Sequence, residues 1–209
     1  MNLIQRVQDI LLRPAATWPA IEQETGDVAS IYKNYVLILA AIPAVAGFIG
    51  MTLIGVGGFG MHIRMPFVWG FTNMVVSYAL SLVMVFVLAL IVDALAPTFK
   101  GHKNQFNALK LVAYAMTAAF VGGIFALIPS LSVLGLLASL YSIYLVYTGL
   151  PVLMKCPPDK AAGYTAVVVV CGIVAAIVIG TLSRAVTPTP RLTGLGTPHI
   201  EAAQGPTRS

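Results

Sequence analysis

Apolar residues come first at helical spacing and then in long unbroken runs. Leu3, Ile4, Val7, Ile10 and Leu11 share one helical face, with Asn2, Gln5, Arg6, Gln8 and Asp9 opposite. That pattern predicts a short amphipathic helix, ended by Arg13-Pro14. Thr17-Trp18-Pro19 reads as a second helix start, because proline suits a first turn and threonine caps. The two predict an interfacial pair lying along lipid headgroups with Trp18 at the water boundary. A partner-binding helix is the alternative. Charges at Arg6, Asp9, Arg13, Glu22, Glu24, Asp27 and Lys33 leave no uninterrupted apolar stretch of signal-peptide type.

Beyond residue 33 the pattern changes. Residues 34–61, 65–92, 111–154 and 161–183 hold no Asp, Glu, Lys, Arg or His. A bilayer core needs roughly 20 helical residues, so the run 111–154 divides into two spans, with Ile128-Pro129-Ser130 as the turn. The expected fold is all-α: a polytopic bundle of five transmembrane helices at about 35–57, 68–93, 111–128, 132–154 and 162–183. Residues 1–33 form a cytoplasmic amphipathic segment, 34–183 the membrane domain, and 184–209, with its Pro188, Pro190, Pro198 and Pro206, a disordered tail.

Composition narrows the function classes. With 58% of residues hydrophobic and 9% charged, and a mean hydropathy of +0.91, the chain cannot clothe a water-facing surface. A soluble enzyme is excluded, and the lipid bilayer is the first partner. The net charge of +5 is scattered between apolar runs and describes orienting loops rather than a nucleic-acid surface. Arg6, Arg13, Lys33, Lys100, Lys103, Lys110, Lys155 and Lys160 fall on the N-terminal side of a five-span topology. Arg64, Arg184, Arg191 and Arg208 fall on the other. The bias predicts a cytoplasmic N-terminus and a periplasmic C-terminus.

Candidate chemistry is sparse. Asp93 closes the second span, and Lys100 and Lys103 nearby predict a headgroup-level ion pair; a proton or cation site is the alternative. His62, His102 and His199 lie outside the spans, and only His199 has an acid close by, Glu201. No metal or cofactor is expected. Cys156 and Cys171 are too far apart in helical rise to join, and neither has a visible base. Small residues recur every fourth position at Ala118, Gly122 and Ala126 and at Gly172, Ala176 and Gly180, where helices can approach closely or copies of the chain associate. Tyr114, Tyr141, Tyr144 and Tyr147 gather towards the cytoplasmic half, as anchors or as hydrogen-bond donors to Ser139, Ser142 and Thr148.

Three stretches resemble the prokaryotic branch of the Yip (Ypt-interacting protein) family. The first runs from Ile10 through Arg13-Pro14 and Thr17-Trp18-Pro19 to Ile21, Glu22 and Glu24. The second is Phe106-Asn107-Ala108-Leu109-Lys110-Leu111-Val112-Ala113-Tyr114-Ala115. The third runs from Leu127-Ile128-Pro129 to Tyr141-Ser142-Ile143-Tyr144 and Tyr147-Thr148-Gly149-Leu150, followed by Lys160-Ala161-Ala162. The resemblance implies five helices with the N-terminus inside. In the eukaryotic branch it also implies prenylated Rab-type GTPase partners. This chain lacks that branch's long N-terminal region and Asp-Leu-Tyr-Gly-Pro element, so no Rab-type partner is expected.

The expected function is a non-enzymatic inner-membrane protein that organises membrane or protein partners, as a homo-oligomer or with another membrane protein. Its candidate interaction positions are Trp18, Glu24, Asp93, Tyr114, Tyr144, Gly172, Ala176 and Gly180. The rival is a small channel or transporter using Pro43, the glycines of the first span and Asp93.

Overall fold

The computed structural model describes residues 2–58, 61–63, 65–128 and 131–186. Two short helices open the chain, α1 (Leu3–Leu12) and α2 (Pro14–Gln23). The Asn2 side chain caps α1 by accepting from the Ile4 N–H at 3.3 Å. The second helix starts four residues earlier than the threonine cap predicts, because Pro14 takes the first helical position itself. Thr17 lies inside α2 and shares its hydroxyl between the carbonyls of Asp9 (3.0 Å) and Arg13 (2.8 Å), stitching the two helices together.

Among the described residues, five helices are long and apolar enough to cross a membrane. They are α3 (Val28–Ile54), α4 (Phe67–Phe99), α5 (Gln105–Leu127), α6 (Ser132–Leu153) and α7 (Pro158–Val186). The molecule is a helical membrane bundle, as the hydropathy pattern predicts. A small antiparallel hairpin, β1 (Val56–Gly58) with β2 (Met61–Ile63), joins α3 to α4. It takes up Gly57 and Gly58, and Gly55, at φ 86°, makes the turn out of the helix. Pro129 and Ser130, expected to turn the chain between α5 and α6, lie outside the described residues, as do residues 187–209 of the expected tail.

The centre of the bundle is α5. In its most apolar stretch 67% of residues are buried, against 22–28% in the other four spans, whose outer faces are left for lipid. Close approach explains its small residues. Gly122 lies against Ala138 of α6. A methyl at Gly123 would stand 3.0 Å from Pro43 Cα in α3, and one at Gly50 would stand 3.2 Å from the Leu127 carbonyl oxygen. α5 is broken at Met116, and Ser142 of α6 accepts the Ala119 N–H at 3.1 Å.

Candidate functional site

Trp18 does not sit at a water boundary. It is fully buried, with Nε1 donating to Thr148 Oγ1 of α6 at 3.1 Å. Gly149 makes room: a methyl there would lie 2.8 Å from Trp18 Cε2. Ile10 and Ile21 are also fully buried, and the Tyr141 hydroxyl donates to the Leu11 carbonyl at 2.8 Å. The N-terminal pair is thus docked onto the ends of α5 and α6. Ile4 and Leu12, at 64% and 77% exposure, remain outside.

Charge holds the same pair. Arg6, assigned to the polar outer face by periodicity, is 5% exposed and pairs with Glu24, just past the end of α2. Its guanidinium also lies 5.5 Å from the Tyr114 ring centroid. Lys110 is 3% exposed on the second turn of α5. It donates to the carbonyls of Ile21 (2.9 Å), Glu22 (3.3 Å) and Glu24, the carbonyl end of α2, where a cation complements the helix dipole. Glu22 itself pairs with Lys155, between α6 and α7. Three separated stretches of sequence therefore meet at one end of the bundle.

Beside this network lies a cleft of 460 Å³ between α1, the α2–α3 connection and the ends of α3 and α5. Arg6, Glu24, Lys110, Tyr114, Tyr35 and Asn34 supply its polar lining. Tyr35 packs edge-on against Tyr114, ring centroids 4.7 Å apart, and its hydroxyl meets Thr117 Oγ1 at 2.7 Å. On the connection between α2 and α3, Asp27 caps α3, accepting the Ser30 N–H at 3.0 Å. Hydrogen bonding to the Ser30 side chain, then to its N–H, holds the Asp27 carboxyl below its ordinary 3.8.

The other candidates scatter. Asp93 forms no ion pair with Lys100 or Lys103, correcting the expected headgroup bridge; its Oδ1 is buried without a hydrogen-bond partner among the described residues. Tyr144, 47% exposed, tilts against Tyr141 at 5.5 Å. Gly172 approaches Leu88 of α4, and Ala176 lines an apolar cleft beside it. Gly180 has no described neighbour within 4 Å, so the stripe is not one continuous internal contact. Cys156 and Cys171 are both free; burial pushes the Cys156 thiol up.

Arg6 and Lys110 were absent from the sequence candidates. Lys110 interrupts the uncharged run and so reads as a loop residue, yet α5 begins at Gln105, capped by Asn104, whose side chain accepts from the Asn107 N–H at 3.0 Å. A lone lysine between Leu109 and Leu111, four residues after Phe106 and four before Tyr114, was the available signal.

The Yip1 domain model matches residues 9–179, taking in the docked pair from Asp9 onward, the first four spans and α7 as far as residue 179. The chain belongs to the Yip1 domain family. It is similar to inner membrane protein YohC of Escherichia coli K12, at 24% identity over 174 residues covering 81% of this chain and 89% of the relative. YohC of E. coli O6:H1 strain CFT073 matches with the same figures. No solved structure matches. Within this Yip1 domain, Trp18, Glu24, Lys110, Tyr114 and Thr148 all belong to the docking of the N-terminal helices, which makes that end of the bundle the candidate site.

Proposed function

We propose that this Yip1-domain protein is a non-enzymatic adaptor of the bacterial inner membrane. Its docked N-terminal helices form a cytoplasmic platform for a membrane-protein partner or a second copy. The observation that carries the reading is the use of the two buried cations among the described residues. Arg6 and Lys110 hold α1 and α2 in place, a structural task rather than the lining of a path across the bilayer. The similarity to a relative named an inner membrane protein supports the location. The contacts of α1 and α2 with Lys110 and Lys155 support placing the N-terminus on the basic, cytoplasmic side, with the C-terminus periplasmic. The test is thiol labelling from the periplasmic face: a cysteine at Ser209 reacts and one at Asn2 is spared. The reverse pattern overturns the orientation.

A channel or transporter is the second reading, favoured by Asp93 Oδ1, a buried carboxylate oxygen in α4 without a hydrogen-bond partner among the described residues. Proteoliposomes separate the two. The adaptor reading requires no ion or proton flux above empty vesicles; a flux lost with Asp93→Asn establishes the transporter.

A further inference from the structure

We infer that the cleft between α4, α6 and α7 binds a fatty acyl group, an apolar chain carrying one carbonyl, taken in from the bilayer between α6 and α7. The cleft measures 300 Å³, at the lower end of the range for ligand pockets, about 300–1,000 Å³. Met84 and Leu88 of α4, Ile143 and Val146 of α6, and Val168 and Ile173 of α7 form its walls. Its floor is the central helix. From Ala108 to Phe120 every residue of α5 is buried except Met116 and Ala119, and both of these line the cleft. Met116 is also where α5 is broken.

The rim decides what enters. Ser139 of α6 and Ile173 and Ala176 of α7 are exposed there, continuous with Leu136, Leu140 and Ile177, exposed side chains of the same two spans. Acyl chains cover those faces, so the cleft opens onto acyl chains. An apolar space excludes water and accepts an apolar guest. Ser142 adds a chemical requirement. It is 7% exposed and lines the cleft, and its Oγ accepts the Ala119 N–H at 3.1 Å. Its own proton has no acceptor among the described residues, whereas the Ser139 and Thr148 hydroxyls of the same helix donate to the Gly135 and Tyr144 carbonyls. A buried donor without an acceptor is costly, and an entering carbonyl oxygen removes that cost. Ile143 and Val169 also line a neighbouring groove that carries the exposed Tyr144 and Tyr147. Such tyrosines mark the polar boundary of a bilayer. Ser142 lies about 8 Å deeper than Tyr147 along the helix, a depth that the carbonyl of a chain anchored at that boundary can reach.

The experiment is photolabelling of the full chain in proteoliposomes containing a phosphatidylglycerol with a mid-chain diazirine, the labelled positions being mapped by mass spectrometry. The expected result is label on Met116 and Ala119, positions of the central helix that a chain reaches through the cleft. Leu136 and Leu137, exposed on α6, give the reference for ordinary lipid contact. Ala176→Phe fills the rim without touching Ser142 and should abolish the α5 label while the reference stays. Ser142→Ala should lower the α5 label about fivefold, the loss of one neutral hydrogen bond. That variant also takes the acceptor from the Ala119 N–H, so a diazirine alkane without a carbonyl is run beside it and should label α5 equally in both chains. Label from a diazirine fatty acid without label from the phospholipid keeps the site and makes its source a free fatty acid. Absence of α5 label with every probe overturns the proposal, as does α5 label unchanged by Ala176→Phe. Equal effects of Ser142→Ala on the ester and the alkane overturn the carbonyl requirement.

Discussion

Trp18→Phe removes the indole N–H that the Thr148 hydroxyl accepts and keeps an apolar ring in the fully buried position of Trp18. The expected cost is about 1–2 kcal/mol, read as a lower Tm in detergent. Thr148→Val should cost a similar amount, and the double variant less than the sum, because the two residues share one bond. Asp27 carries the pH dependence. Its folded-state value lies below the ordinary 3.8, so its capping contribution is complete above that pH and fades as the pH falls through the depressed value. Amide exchange at Ser30 should therefore lose protection on acidification below 3.8. Asp27→Asn, which caps without titrating, should make that protection insensitive to acid.

At the scale of elements, the two small-residue stripes behave differently although their sequences look alike. In α5 the stripe packs: Ala118 is 3% exposed and Gly122 touches Ala138. In α7 the stripe begins in contact and runs out of neighbours, since a methyl at Gly172 would lie 3.3 Å from Leu88 Cδ2 while Gly180 is open. Gly172→Leu should then lower stability by about 1–3 kcal/mol through overpacking. Gly180→Leu should stay within about 0.5 kcal/mol of wild type. Thermal unfolding of the two variants in the same detergent checks the contrast. Equal losses would mean that Gly180 packs against something other than its own chain.

For the whole molecule, α1 and α2 act as a strap across the ends of α5 and α6, and Lys110 is the point where strap and bundle depend on each other. Deleting residues 1–23 removes two of the carbonyls that receive its ammonium group, those of Ile21 and Glu22. A buried cation is then left poorly compensated, and the truncated bundle should unfold at markedly lower temperature. Lys110→Met in the truncated chain should restore part of the loss, because an apolar side chain of similar volume carries no desolvation penalty. A truncated chain that Lys110→Met destabilises further would show that the lysine finds other partners.

Hydropathy alone determined that the chain lives in a bilayer and crosses it five times, because a span of given thickness demands a run of given length whatever surrounds it. The same logic made the helical pattern of residues 3–11 legible, and the order of Pro14, Trp18, Tyr144 and Gly149 supported the family resemblance. What periodicity could not decide was which face of α1 turns inward. Arg6 is buried and Ile4 is exposed, since the choice depends on Glu24 and Tyr114, elements distant in sequence. Trp18 followed the same rule: an aromatic ring near a membrane boundary satisfies its N–H equally well from a headgroup or from Thr148. Only the approach of α2 to the Gly149 notch on α6 selected the second. Asp93 marks the converse case, where nearness in sequence to Lys100 and Lys103 predicted a pair that the folded chain does not make. The sign and spacing of residues set which partners are possible, and packing at the end of the bundle decided which are met.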